Sequence, residues 1–283
     1  MLGHKLVQRL TGEHRVFGAV RSAGHPSVTT VLKPNCEQVF AGVEATELSG
    51  LIDAFAAARP EVVLNAIGVI KQVREARDAR TSLAVNSLFP HQLAPLCRTA
   101  GARLIHFSTD CVFSGQRGHY TEADVADAVD LYGRSKLMGE VEGEGLLTIR
   151  TSIIGRDLVK DVGLLEWLLH QRGGQVRGFR RAVFSGFPTV VLADIVARII
   201  GEHRELHGIY HVASEPIDKY DLLVRIRDAM GLDIEIVPDD ELVIDRSLDG
   251  GRFRQATGFE PPSWGEMVTT LAEDAAPYDD WRA

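Results

Sequence analysis

A tyrosine and a lysine four residues apart, Tyr132-Gly-Arg-Ser-Lys136, carry the sharpest chemical signal in this sequence. On a helix that spacing puts both side chains on one face, phenol beside ammonium. A free tyrosine, with a pKa of about 10, is a poor acid–base catalyst near neutrality. A neighbouring cation stabilises the phenolate, lowers that pKa and lets the phenol pass a proton. An isolated pair of this kind also suits a solvated helix surface, so its surroundings decide. Leu104-Ile-His-Phe-Ser108-Thr109-Asp110 reads as an apolar strand that ends abruptly in two hydroxyls and a carboxylate. Val62-Val-Leu-Asn65-Ala66-Ile-Gly68 is a second buried strand, closed by a polar residue and a glycine that admits close approach of a ligand. Either end alone could be an ordinary turn. In a doubly wound sheet, however, strand ends like these meet at the crevice where ligands bind.

The elements that must position these residues alternate along the first two thirds of the chain. Strands are expected at Arg15–Val20, Val62–Ile67, Arg103–Ser108 and Leu147–Ser152. Helices are expected at His4–Leu10, Glu47–Ala58, Leu83–Ala100 and Tyr132–Gly143. That alternation predicts an α/β fold, a Rossmann-type doubly wound parallel sheet over residues 1–155. Beyond it the pattern loosens, with helices at Gly163–Gln171, Val190–Arg204 and Lys219–Met230, a basic loop at Arg177–Arg181 and a strand at Ile209–Ala213. Residues 156–283 are therefore expected to form mainly a smaller substrate lobe, with segments returning to the main domain.

Bulk properties remove several function classes. The 283 residues are 45% hydrophobic and 25% charged, ample for a core. A net charge of −8 disfavours nucleic-acid or membrane-surface partners, which select basic faces. No apolar run approaches the roughly 18 residues of a membrane span, and no secretion signal opens the chain. Three cysteines without metal-type spacing fit a reducing compartment, so a cytoplasmic location is expected. His207 and His211 have helical ligand spacing but fall on a strand-like stretch, and no metal site is expected. Oligomeric state is open, a homodimer included.

Taken together, Ser108-Thr-Asp-Cys-Val-Phe-Ser-Gly115, Tyr120-Thr-Glu122, Leu131-Tyr-Gly-Arg-Ser-Lys-Leu-Met-Gly-Glu140, Arg150-Thr-Ser152 and Gly186-Phe-Pro-Thr189 resemble the extended short-chain dehydrogenase/reductases. Within them the set is most similar to the dTDP-4-dehydrorhamnose reductase branch. The resemblance implies Tyr132 as general acid and Lys136 as its partner and a ligand of the nicotinamide ribose. It implies Thr109, with Ser108 as substitute, as the hydrogen-bond donor to a substrate carbonyl. Asn65, Ala66 and Gly68 would line the cofactor, with Asn86 on the helix beside the site. The implied reaction is hydride transfer to the C4 ketone of a nucleotide-linked deoxy sugar. The tyrosine usual after Ser-Thr-Asp is Cys111 here, which leaves a thiol near the site. An epimerase or dehydratase on the same scaffold, and a catalytically silent regulatory subunit, are the rival implications.

The end of the second strand of such a sheet selects the cofactor, and Val20-Arg21-Ser22 favours the 2′-phosphate of NADPH over NADH. Glu44 is a candidate adenine contact. Arg180, in Arg177-Gly-Phe-Arg-Arg181, and Arg246 are candidate ligands for the substrate's phosphates. Family members begin with a strand and a glycine-rich turn. Met1-Leu2-Gly3 resembles the last three residues of that turn, with Gly3 its third glycine at the cofactor pyrophosphate. The expectation is of a chain that starts late, lacking one strand of roughly ten residues including its turn.

Overall fold

The computed structural model describes all residues except 23–25, 72–77, 159–162, 275, 279–280 and 282–283. In chain order, α1 (Leu2–Leu10), β1 (Phe17–Val20), α2 (Pro26–Leu32), β2 (Gln38–Ala41), α3 (Ser49–Ala58) and β3 (Val62–Asn65) come first. They are followed by α4 (Ala79–Ser82), α5 (Phe89–Ala100), β4 (Arg103–Phe107), α6 (Leu131–Met138) and β5 (Leu146–Arg150). Then come β6 (Ile153–Ile154), α7 (Leu164–Leu169), β7 (Gln175–Phe179), β8 (Ala182–Phe184), β9 (Phe187–Pro188), α8 (Thr189–Glu202) and β10 (Gly208–His211). The last are β11 (Ile217–Asp218), α9 (Lys219–Ala229), β12 (Glu235–Asp239), β13 (Ile244–Asp245), α10 (Gly251–Thr257) and α11 (Trp264–Ala272).

The main sheet is parallel, in the order β10-β5-β4-β3. Its solid apolar runs follow from cover on both faces. Ile105, Phe107, Leu147 and Ile149 pack with Leu2, Leu6 and Leu10 of α1 and with Leu192, Val196 and Ile199 of α8. On the opposite face Leu104 and Leu146 pack with Phe89, Leu93 and Cys97 of α5. β1 and β2 form a separate parallel pair, and among the described residues β1 does not bond to β3.

The C-terminal segments build small sheets of their own, β7 with β12, β6 with β9, and β8 between β11 and β13. β10 returns to the main sheet beside β5. Asp274 and Tyr278 return to α1: His4 Nε2 hydrogen-bonds the Tyr278 hydroxyl at 2.8 Å, and Lys5 Nζ pairs with Asp274 at 2.6 Å. No helix among the described residues is long and apolar enough to cross a membrane.

Three expected elements differ. Leu83–Ala100 is not one α-helix: Leu83–Leu88 is a π-helical turn between α4 and α5. Pro90 has no N–H to bond the Asn86 carbonyl, and the Phe89 N–H reaches Ala84 instead. The helix expected to reach Gly143 ends at Met138, where Gly139 abuts that same Asn86 carbonyl with no room for a Cβ. Arg177–Arg181 is not a loop: it spans the end of β7 and the turn into β8, because Gln175–Phe179 pairs in parallel with Glu235–Asp239.

Candidate active site

Tyr132 and Lys136 lie on α6, whose first turn is capped by the Asp130 carboxylate accepting from the Gly133 N–H at 2.8 Å. Gly133 lets the helix press against the Cys111 carbonyl, where any side chain would collide. The site is thereby fixed to the end of β4. Lys136 is buried, and its Nζ donates to the Phe107 carbonyl at 2.6 Å. Burial lowers its pKa from 10.5 to about 8, opposed by the Glu140 carboxylate. Two of its three N–H donors remain for other acceptors.

Burial also pushes the Tyr132 phenol above its ordinary value, helped by the neighbouring Cys111, while a hydrogen bond from Thr109 works the other way. The expected lowering by Lys136 is therefore corrected. In the protein alone burial sets the direction, and Tyr132 is a protonated donor at neutral pH.

Thr109 caps a short 3₁₀ turn, Asp110–Val112, by accepting the Cys111 N–H at 3.1 Å, and donates to Asp110 at 3.1 Å. Its hydroxyl is thus held by the turn, next to Tyr132. Ser108 is otherwise engaged: its Oγ donates to Glu140 at 2.6 Å. That carboxylate is clamped by Arg150 through two hydrogen bonds of 2.8 and 2.7 Å, both side chains buried. Arg150 Nη1 donates at 3.2 Å to His211 Nε2, while His211 Nδ1 lies 2.9 Å from the Tyr120 carbonyl and serves as its donor. Burial first, then Arg150, brings His211 down to about 4, so it stays neutral and accepting. Ser108 is thus tied into a satisfied network beneath the site rather than turned toward a ligand.

Asn65 likewise turns inward. Its Nδ2 pairs with His106 Nδ1 at 3.0 Å and its Oδ1 accepts the Ile67 N–H at 3.2 Å, which corrects its expected place on the cofactor surface. Ala66, Ile67 and Gly68 are exposed beyond it, a shelf at the end of β3. Asn86 clips that shelf to α6 through the Val69 N–H (2.8 Å), the Val69 carbonyl (3.0 Å) and the Ser135 hydroxyl (3.1 Å). Gly3 lies in the first turn of α1, and a Cβ there would stand 3.8 Å from Ala66 Cβ, so the helix start sits beside the shelf. Arg21 is exposed just past β1 and makes no ion pair or hydrogen bond with a described residue. Glu44 is half-buried three residues past β2.

The two candidate arginines separate. Arg246 reaches the site: its Nε donates to the Phe113 carbonyl at 3.0 Å, and its charge acts on Cys111 and Asp130. Arg180 is exposed and already bound by Asp240. Lys219, unforeseen in the sequence, sits at the start of α9 with its Nζ 3.7 Å from the centre of the Phe184 ring, feeling Asp110 and Cys111. A lysine directly after a strand's aspartate cap was the available signal, too common to read alone. Among the described residues no group of three or more potential metal ligands occurs.

The chain is similar to known proteins. A family described as RmlD substrate binding domain matches residues 1–276. A dTDP-4-dehydrorhamnose reductase of Aggregatibacter actinomycetemcomitans is 28% identical over 256 residues, 78% of this chain and 82% of its own. Methionine adenosyltransferase 2 subunit beta of Danio rerio is 30% identical over 200 residues, 65% of this chain and 59% of its own. Among solved structures, the dTDP-4-dehydrorhamnose reductase of Bacillus anthracis in complex with NADP superimposes with a TM-score of 0.74 at 17% identity, covering 91% of this chain and 98% of that one.

Proposed function

We propose, from the premise that this chain belongs to the RmlD substrate binding domain family, that it reduces the C4 ketone of a nucleotide-linked 6-deoxy sugar for surface-polysaccharide synthesis. The observation that carries the reading is that Thr109 and the buried Lys136 ammonium come together with Tyr132 at the end of β4, Thr109 acting on the Tyr132 phenol and Lys136 Nζ donating to the Phe107 carbonyl at 2.6 Å. The Thr109 hydroxyl polarises the carbonyl by hydrogen bonding to its oxygen. The Tyr132 hydroxyl then gives its proton to the alkoxide oxygen, for which its raised pKa keeps it ready. Lys136, one helical turn on, stabilises the phenolate that remains. The nicotinamide cofactor supplies the hydride when bound. The exposed Ala66–Gly68 shelf, the start of α1 at Gly3 and the free donors of Lys136 fit such a group. The unpaired Arg21 fits a 2′-phosphate, hence NADPH before NADH, and the NADP-bound Bacillus relative supports that order. Residues 1–155 would hold the cofactor, and residues 156–283 would mainly hold the sugar nucleotide.

A regulatory subunit is the second reading, favoured by the zebrafish relative. Against it stands the complete Thr109, Tyr132 and Lys136 set. The test is loss of reduced-nicotinamide absorbance with dTDP- and UDP-linked 4-keto sugars, using NADPH and NADH. Tyr132→Phe should lower turnover by about 10²–10⁴-fold. Consumption should also fall above pH about 8, as Lys136 loses its proton. Stability should move the opposite way. Between about 8 and 10.5 the folded protein binds fewer protons at Lys136 than the unfolded chain does, so that residue's contribution rises with pH. No consumption with any substrate, or full turnover in Tyr132→Phe, would overturn the reductase reading.

A further inference from the structure

Asn65, His106 and Thr148 stand side by side across β3, β4 and β5, each opposite the next in the parallel register. Alternation along β4 and β5 puts His106 and Thr148 on the face of Leu104 and Leu146, which α5 covers with Phe89, Leu93 and Cys97. Thr148 is satisfied locally: its Oγ1 donates to the Val141 carbonyl at 2.6 Å and accepts the Val141 N–H at 3.2 Å. His106 is not. It is fully buried, its Nδ1 meets Asn65 Nδ2 at 3.0 Å, and its Nε2 has no hydrogen-bond partner among the described residues.

The protons of this pair can be placed by chemistry. The Ile67 N–H can only donate, so the Asn65 atom 3.2 Å from it is the amide oxygen. The amide nitrogen, which also can only donate, is left facing His106, and His106 Nδ1 accepts from it. The imidazole is therefore neutral, with its proton on Nε2, buried and unmatched. Burial first, then the charges of Lys136 and His91, holds its pKa well below 6.5, in agreement with that state. A buried donor without an acceptor weakens the fold. An apolar residue would fill the place at less cost, so the histidine is explained by its other nitrogen. Without an acceptor there, the Asn65 amide is free to turn over and set its nitrogen against the Ile67 N–H, donor against donor.

Ile67 is the middle residue of the exposed Ala66–Gly68 shelf. Its N–H is held by Asn65, and the Val69 N–H by Asn86 Oδ1 at 2.8 Å, so the shelf is pinned from beneath at two points. We propose that His106 is a positioning residue for the nicotinamide cofactor. By accepting from Asn65 it fixes the amide that sets the Ile67 backbone, and with it the surface on which the cofactor lies. The proposal rests on the reductase reading above and puts one determinant of cofactor affinity inside the core, where no ligand touches it.

The test pairs ligand binding with a ligand-free measurement on the full chain. His106→Leu removes the acceptor, whereas His106→Asn keeps an amide oxygen near the place of Nδ1 and discards the unmatched donor. In His106→Leu, calorimetry should show NADPH bound about tenfold more weakly. The Ile67 amide should exchange with solvent about tenfold faster by NMR, while exchange along β5 stays at the parent's rate. His106→Asn should restore both NADPH affinity and Ile67 protection. Parent-like NADPH affinity in His106→Leu overturns the proposal. So does faster exchange throughout β4 and β5, which would make His106 a packing residue only, and so does weak NADPH binding that His106→Asn fails to restore in a folded protein. Failure of the reductase reading looks different: NADPH affinity depends on His106 as proposed, yet no 4-keto sugar nucleotide is reduced. A chain whose Ile67 exchange depends on His106 but which binds neither NADPH nor NADH would overturn both.

Discussion

The two hydrogen-bonded pieces of the N-terminal sheet differ sharply. Every residue of β5 is buried, as are four of five in β4, whereas β1 buries only Gly18 and β2 buries none. Thr109 follows the deeply packed piece, and α6 is locked onto it through Lys136 and Gly133. Arg21 and Glu44 follow the thinly packed piece. The difference teaches that the groups suited to moving a proton are set on a rigid foundation, while those suited to choosing between cofactors hang from a surface pair of strands. Precision within a fraction of an ångström matters for the first task and much less for the second.

That contrast can be broken most directly through the ion pair under β4 and β5. Glu140→Gln leaves the buried Arg150 uncompensated and frees Ser108, and should cost about 3–5 kcal/mol in denaturant unfolding. A midpoint close to the parent's would mean the packed piece is not the foundation described. Next in size, Arg21→Glu should raise the KM for NADPH by about 10–100-fold, the worth of a charge-assisted phosphate contact. NADH kinetics and the unfolding curve should stay where they were, and a fall in both cofactors' kcat would tie the surface pair to the chemistry after all. Smallest is Arg15→Ala, which removes the exposed Arg15–Glu37 pair joining the start of β1 to the residue before β2. No measurable shift in thermal midpoint is expected, and a clear one would show that the two-stranded piece depends on its edges more than its burial suggests.

What was legible in the sequence was local. The alternation of apolar runs and helical stretches gave the parallel α/β fold, and the Tyr132–Lys136 spacing and the Ser108-Thr109 strand end were readable because each lies within one element. What was illegible depends on partners far along the chain. Asn65 turns inward because His106, 41 residues on, takes its amide. Ser108 is engaged because Glu140 and Arg150 meet beneath it. Lys219 comes to lie against Phe184 through the pairing of β11 with β8. The Tyr132 phenol went the other way from the expectation because spacing reveals a nearby cation but not the depth of burial.

The contacts of α1 with the last described segment have a consequence for the order of events during synthesis. His4 meets Tyr278 across 274 positions and Lys5 meets Asp274 across 269, while Leu2, Leu6 and Leu10 fill one face of the central core. Helix α1 is therefore made long before the last of its partners. Until then its apolar stripe is only partly covered, an interval in which aggregation competes with completion. Loss of Tyr278 should be felt first at α1.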